Sequence, residues 1–199
     1  MTNKFKVSGD IVSPFAPIIF RHNLCEKMAW SNKEKKSVPN PEGTYSVTQL
    51  FDPSNKEHKK FIDKLEELNQ KAYELGDPDN KIKTLYKTSE KSKSVPEGMR
   101  AYTWTQAGDR SPTVKDMQKN ELPDSIVNEM SSGSNIRVVL FYKEIDANGW
   151  GGIKLYLRTV QVKDLQKFGS DDNLLDDDDD GFVLDESVTN SDLSDEDFI

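Results

Sequence analysis

Apolar and polar residues alternate with a period of two along several short segments of the chain. That period is typical of strands that bury one face and leave the other to water. The segments with the clearest alternation are 44–51, 99–106, 134–145 and 153–163, and an earlier strand is expected within 4–20. The last two segments flank a turn at Asp146-Ala147-Asn148-Gly149, which predicts a hairpin.

One stretch follows the helical period instead. Its apolar stripe consists of Phe61, Leu65, Leu68 and Ala72. Residues 52–54 offer an N-terminal cap, and Gly76 with Pro78 ends the helix. A single amphipathic helix among about five strands predicts a mainly-β domain built as a small closed or nearly closed barrel.

The remaining segments of the body are polar. Residues 31–43 predict a flexible loop, the lysine-rich residues 77–98 a long mobile loop, and residues 107–133 turns with one short helical piece.

Charge divides the chain near Phe168. All 27 Lys and Arg lie in residues 1–168 with 22 acids, whereas residues 169–199 hold 13 acids and no base. The body is therefore +5 and the remainder −13. Five consecutive aspartates, 176–180, predict that residues 169–199 form a disordered acidic tail, because so acidic a stretch buries too little apolar surface to offset its ordering entropy.

Few residues could carry catalysis. His22 and His58 are the only histidines, the only cysteine is Cys25, and no phosphate-cradling glycine motif is present. We expect no catalytic residues, no metal, no cofactor and no enzyme activity. One cysteine, no apolar signal segment and no membrane-length apolar run favour a soluble cytosolic protein.

Basic and aromatic residues share one face of three predicted strands. Cations neutralise phosphates and aromatic rings stack on unpaired bases, so this pattern favours single-stranded nucleic acid as the ligand. An ordinary solvated sheet face is the competing interpretation, and Trp104 could equally fill the core. The candidate DNA-binding residues are Trp30, Lys33, Lys35, Lys36, Arg100, Tyr102, Trp104, Arg137, Phe141, Lys143, Trp150, Lys154, Tyr156 and Arg158.

The acidic tail closes on an apolar pair. Its last residues are Asp195, Glu196, Asp197, Phe198 and Ile199. Acids steer such a peptide to a basic surface, and the side chain of Phe198 can fill an apolar pocket. The sequence therefore predicts a ligand for partner proteins that can also fold back and compete with DNA.

Several motifs occur in the order found in one protein family. Residues 40–47 (NPEGTYSV) lead into a strand, and a helix ends near Lys71-Ala72-Tyr73. Residues 134–168 correspond to the family's closing hairpin, with the pattern of Val162, Leu165 and Phe168 followed by Gly169. The chain resembles the replication single-stranded DNA-binding proteins of short-tailed lytic bacteriophages. One departure is that Ile199 follows Phe198, whereas the family's phenylalanine is usually last.

This resemblance implies an oligonucleotide/oligosaccharide-binding (OB) barrel over 1–168 and a protein-interaction tail over 169–199. It also implies strand protection in phage replication, recombination or repair, in the cytoplasm of the infected bacterial host. The tail would recruit polymerase and helicase-primase, and a homodimer is possible. The alternative is an acidic polyanion mimic or chaperone that binds a basic protein and ignores DNA.

Deletion of residues 170–199 is expected to tighten DNA binding, because a strongly negative competitor is removed. Mobility-shift titrations of the full and shortened chains with a fluorescent oligonucleotide measure this. Unchanged or weaker binding by the shortened chain would contradict competition by the tail.

Overall fold

A computed structural model describes residues 7–20 and 22–167. Within these ranges the chain forms ten strands and two helices. They are β1 (Ser8–Val12), β2 (Ala16–Pro17), β3 (Asn23–Ser31), β4 (Lys36–Pro39), β5 (Thr44–Phe51), α1 (Lys56–Glu74), β6 (Lys81–Ile82), β7 (Arg100–Gln106), β8 (Thr113–Lys115), α2 (Asp124–Glu129), β9 (Asn135–Ala147) and β10 (Trp150–Asp164). The acidic tail predicted for 169–199 lies outside the described residues.

The strands form one strongly curved sheet. Its main path is β1-β9-β10-β7-β5-β3-β4, with antiparallel neighbours except for the parallel pair β7 and β10. β1 and β2 both pair with β9, whereas β3, the next strand along the chain, pairs with β5. Between β2 and β3, Ile18 forms an isolated bridge to Gln49 of β5. The sheet therefore curls back on itself without closing, and the predicted mainly-β, OB-like fold is confirmed.

The long helix lies where its apolar stripe predicts. Asn55 caps it, since its side-chain oxygen accepts from the backbone N–H groups of Glu57 and His58 at 2.9 and 3.3 Å, just after the predicted cap at 52–54. Phe61, Leu65 and Ala72 are buried against the sheet. Neither α1 nor α2 is long and apolar enough to cross a membrane.

A buried asparagine joins α1 to the last hairpin. Asn69 accepts a hydrogen bond from the Ile153 N–H at 2.9 Å and donates one to the Lys83 carbonyl at 2.8 Å. Gly152 makes this approach possible, because a side chain there would meet the Asn69 oxygen at 2.3 Å. One amide thus fixes the helix, β10 and the segment after β6 together.

The core contains two rings that were predicted to face outwards. Tyr102 and Trp104 are 0% and 1% exposed and stack with centroids 5.3 Å apart. The Trp104 indole donates to the buried Gln49 side chain at 2.8 Å, and Gln49 donates across the barrel to the Ile136 carbonyl at 2.7 Å. Their assignment to the DNA-binding face is therefore wrong.

The physical reason lies in the two faces of β7. Ala101, Thr103 and Thr105 share the other face of this strand, and of these three only Ala101 is buried. An alanine and two threonines offer far less apolar area than two large aromatic rings, which bury about 150–250 Å² each. The rings therefore fill the barrel.

The lysine-rich segment 77–98 is also not the mobile loop that its polarity predicted. The Lys81 and Lys83 N–H groups donate to the carbonyls of Gly149 and Gly151 at 2.9 Å, and Lys87 exchanges two backbone hydrogen bonds with Ala101. Val95 is buried. The segment is hydrogen-bonded along the sheet and brings Lys83 close to β10.

Candidate nucleic-acid interface

The hairpin of β9 and β10 separates its residues by face as the alternation predicts. Its inward side chains, including Val138, Leu140 and Leu157, are buried in the core. We call five side chains on its outward face the hairpin patch: Phe141, Lys143, Lys154, Tyr156 and Arg158. The hairpin turns through Asn148 and Gly149, whose positive φ angles of 57° and 77° suit a two-residue turn.

Two rings lie side by side at the centre of the hairpin patch. Phe141 and Tyr156 are register partners, with ring centroids 6.3 Å apart and an interplanar angle of 37°. Lys143 and Lys154 place their ammonium nitrogens 5.5 and 5.1 Å from the Tyr156 centroid, and the Arg158 guanidinium lies 4.7 Å from that of Phe141. Such contacts are worth only about 0.5–1 kcal/mol at exposed sites, so a base can displace the cation from the ring.

A bulge in β10 places Arg158. The register passes from Leu157–Leu140 directly to Thr159–Val139, which leaves Arg158 as the extra residue. Bulges re-aim side chains in this way. Arg158 extends outwards over Phe141 and forms an ion pair with Asp10 of β1 at 3.1 Å. Because both partners are largely exposed, this pair is weak and can be exchanged for a phosphate.

Positive charge is crowded at one end of the hairpin patch. Lys143 and Lys154 are direct cross-strand partners, an arrangement that destabilises a sheet. Burial, together with the nearby charge of Lys154, holds the pKa of Lys83 below its usual range. Three lysines thus converge where an anion would relieve their repulsion.

Two candidate tryptophans lie at hairpin tips. Trp150 begins β10 and is 46% exposed beside the turn of the last hairpin. Trp30 is 62% exposed near the tip of the β3–β4 hairpin, close to the exposed Lys33, Lys35 and Lys36. The predicted flexible segment 31–43 is thus partly a hairpin.

These two tips do not lie on adjacent strands. On the sheet path, β7 and β5 come between β10 and β3. The outward residues of those two strands are mainly small and uncharged, as in the pair Thr48 and Thr103, whose hydroxyls lie 3.0 Å apart. An oligonucleotide contacting both tips would have to cross this uncharged band.

The other candidates are distributed differently. Arg100 forms an ion pair with Glu66 of α1 and stacks on Tyr86, 4.4 Å from its centroid. It therefore lies on the same face of β7 as Tyr102 and Trp104, which is the inward face, and not in the hairpin patch. Arg137 lies on the outward face of β9 but contacts Phe15, at 4.8 Å.

Phe15 has no sequence signal, because it follows Pro14 in an irregular segment. The ammonium nitrogen of Lys163 also lies over the Phe15 ring, 5.9 Å from its centroid. The alternation of apolar and polar residues in β10 continues after its bulge. Extending it would have indicated that Lys163 faces outwards.

Comparisons with known proteins give a structural match and no sequence match. No family model and no curated protein sequence matches the chain. The single-stranded DNA-binding protein gp2.5 of bacteriophage T7 has a TM-score of 0.62 at 15% identity, over 89% of this chain and 100% of that one. The chain has the fold of bacteriophage single-stranded DNA-binding proteins.

A second phage protein supports the same fold. The single-stranded DNA-binding protein of bacteriophage Enc34 matches as a C-terminal truncation, with a TM-score of 0.57 and 20% identity over 80% of this chain and 89% of that one. Its complex with single-stranded DNA matches with a TM-score of 0.57 and 22% identity over 81% and 90%.

The crowded lysines generate a stability prediction. Lys154→Glu places a carboxylate opposite Lys143 and is expected to raise the free energy of unfolding by about 0.2–1 kcal/mol, measured by denaturant titration. Lys143→Glu should do the same, whereas the double variant restores two like charges and loses the gain. Single variants less stable than the wild type would contradict the proposed repulsion.

Proposed function

We propose that the chain binds single-stranded DNA with little sequence preference, and that the hairpin patch is the centre of the interface. The observation that carries the proposal is the pairing of two outward rings, Phe141 and Tyr156, with three cations that lie over their faces. Exposed bases stack on the rings, and the displaced cations bind the adjoining phosphates. Stacking accepts every base, so sequence has little influence.

The geometry favours an unpaired strand over a duplex. Stacking needs base faces, and these are available only when the bases are not paired with a complementary strand. The rings of the patch also lie on the face of the sheet, whereas groove recognition uses a helix or a two-stranded ribbon inserted between the phosphate backbones.

The alternative is a chaperone whose acidic tail binds a basic protein. The hairpin patch supports DNA over this alternative, because its three cations would repel a basic partner.

The wider role follows from the tail. We propose that the protein is not an enzyme but covers single-stranded phage DNA during replication, recombination or repair in the host cytoplasm. The acidic residues 195–197 with Phe198 and Ile199 would recruit polymerase and helicase-primase, compete with DNA, and contribute to a possible homodimer.

Removing the rings should weaken DNA binding without changing its electrostatic component. Phe141→Ala and Tyr156→Ala are each expected to reduce affinity about 5- to 150-fold, since stacking is worth roughly 1–3 kcal/mol per base. Fluorescence anisotropy with an oligo-dT probe at several salt concentrations measures both quantities, and the slope of log affinity against log salt should stay unchanged.

Phe20→Ala is the matched control, because Phe20 is an exposed ring outside the hairpin patch. Wild-type affinity in the Phe141→Ala/Tyr156→Ala double variant would overturn the proposed interface.

A further inference from the structure

Beyond Arg158, a cavity of about 350 Å³ opens on the same outward face of the hairpin. Its apolar floor is Val12 and Val139, and its cationic rim is Lys115, Lys119 and Arg137. Val12 is 52% exposed, although it lies within a strand. The cavity therefore combines bare apolar surface with three positive charges.

Four strands build this cavity. Val12 of β1 pairs with Val139 of β9, which pairs with Thr159 of β10. Gln161 of β10 is the register partner of both Lys115 in β8 and Arg137 in β9. Lys119 lies just after β8, in a turn where its N–H donates to the Asp116 carbonyl at 3.2 Å. Strand pairing and this turn together give the cavity its shape before any ligand binds.

Hydrogen bonds hold the rim in place. The Arg137 Nε donates to the Gln161 side-chain oxygen at 2.7 Å, and the Gln161 amide donates to the Asp116 carbonyl at 2.9 Å. The carboxylate of Asp116 accepts hydrogen bonds from the backbone and side chain of Asn120, at 2.8 and 2.9 Å. These bonds hold the pKa of Asp116 below its usual range, so the carboxylate is charged and already hydrogen-bonded within its own turn.

A ring stands beside the cavity. Phe15 lies under Arg137, and its carbonyl accepts a hydrogen bond from His58 Nε2 at 2.9 Å. His58 Nδ1 in turn accepts from the Asp52 N–H at 3.0 Å, which fixes the tautomer. His58 therefore anchors the segment that carries this ring.

We propose that this cavity is a second nucleotide site for the same bound strand, with the base against Val12 and Val139 and the phosphate on Lys115 and Lys119. The proposal rests on the proposed function. A simple anion would use the cations but leave the apolar floor bare, whereas a nucleotide uses both.

Continuity with the hairpin patch favours DNA over an acidic peptide. Arg137 and Phe141 are four residues apart on one strand, which is about 13 Å at the rise of a β-strand. Arg158 lies between them at the bulge, so cations continue along the outward face. A strand that leaves Phe141 along the hairpin reaches the cavity directly.

Graded oligo-dT lengths test this site in the full chain. Lys115→Ala/Lys119→Ala should bind the shortest oligonucleotides like the wild type and lose affinity once the oligonucleotide is long enough to reach the cavity. For those longer oligonucleotides the salt slope should fall by roughly 1.4, about 0.7 for each phosphate contact. Lys60→Ala/Lys64→Ala, on the exposed face of α1, removes the same charge and should behave as the wild type at every length.

A second variant tests the apolar floor. Val12→Ala should weaken binding of the long oligonucleotides only and leave their salt slope unchanged, since no charge is lost.

Other outcomes overturn the site. Equal affinity of Lys115→Ala/Lys119→Ala and the wild type at all lengths overturns it and leaves the cavity to another ligand, such as an acidic peptide. An equal loss at all lengths also overturns it, because that is a general charge effect. Both leave the proposed function standing, whereas a wild type that binds no length overturns both proposals.

Discussion

Burial of one face of each strand is the constraint on which the structure depends. In the last hairpin the aliphatic residues fill the barrel, so the pleat forces Phe141, Tyr156 and the neighbouring cations outwards. In β7 the same constraint acts in the opposite sense, because Tyr102 and Trp104 are the apolar residues available to the core. Rings of similar chemistry thus have opposite roles according to what occupies the other face of their strand.

The free protein holds its cations at some cost to stability. Lys143 faces Lys154 across the ladder, and Lys83 is partly buried beside them. Under the proposed function a phosphate backbone would relieve this repulsion, so the groups that weaken the free sheet would gain most from DNA. The Asp10–Arg158 ion pair restrains the arginine in the free protein, and in the proposed complex a phosphate would replace the carboxylate.

The strong local patterns were sufficient to predict much of the fold. Residues 44–51 are β5, the stripe from Phe61 to Ala72 lies in α1, and the hairpin faces of β9 and β10 are as predicted. The face of β7 could not be chosen from its own residues, because the choice depends on which rings the rest of the barrel can enclose. Phe15 and the ordered path of residues 77–98 depend on tertiary hydrogen bonds that leave no local pattern.

The most direct test of the account is an NMR titration of the full chain with a short oligo-dT. The account predicts that signals of Phe141, Lys143, Lys154 and Tyr156 shift on binding. The indole N–H of Trp104, held by Gln49 in the core, should keep its position. Shifts at Trp104 with an unperturbed hairpin patch would show that DNA binds elsewhere and would contradict the central claim.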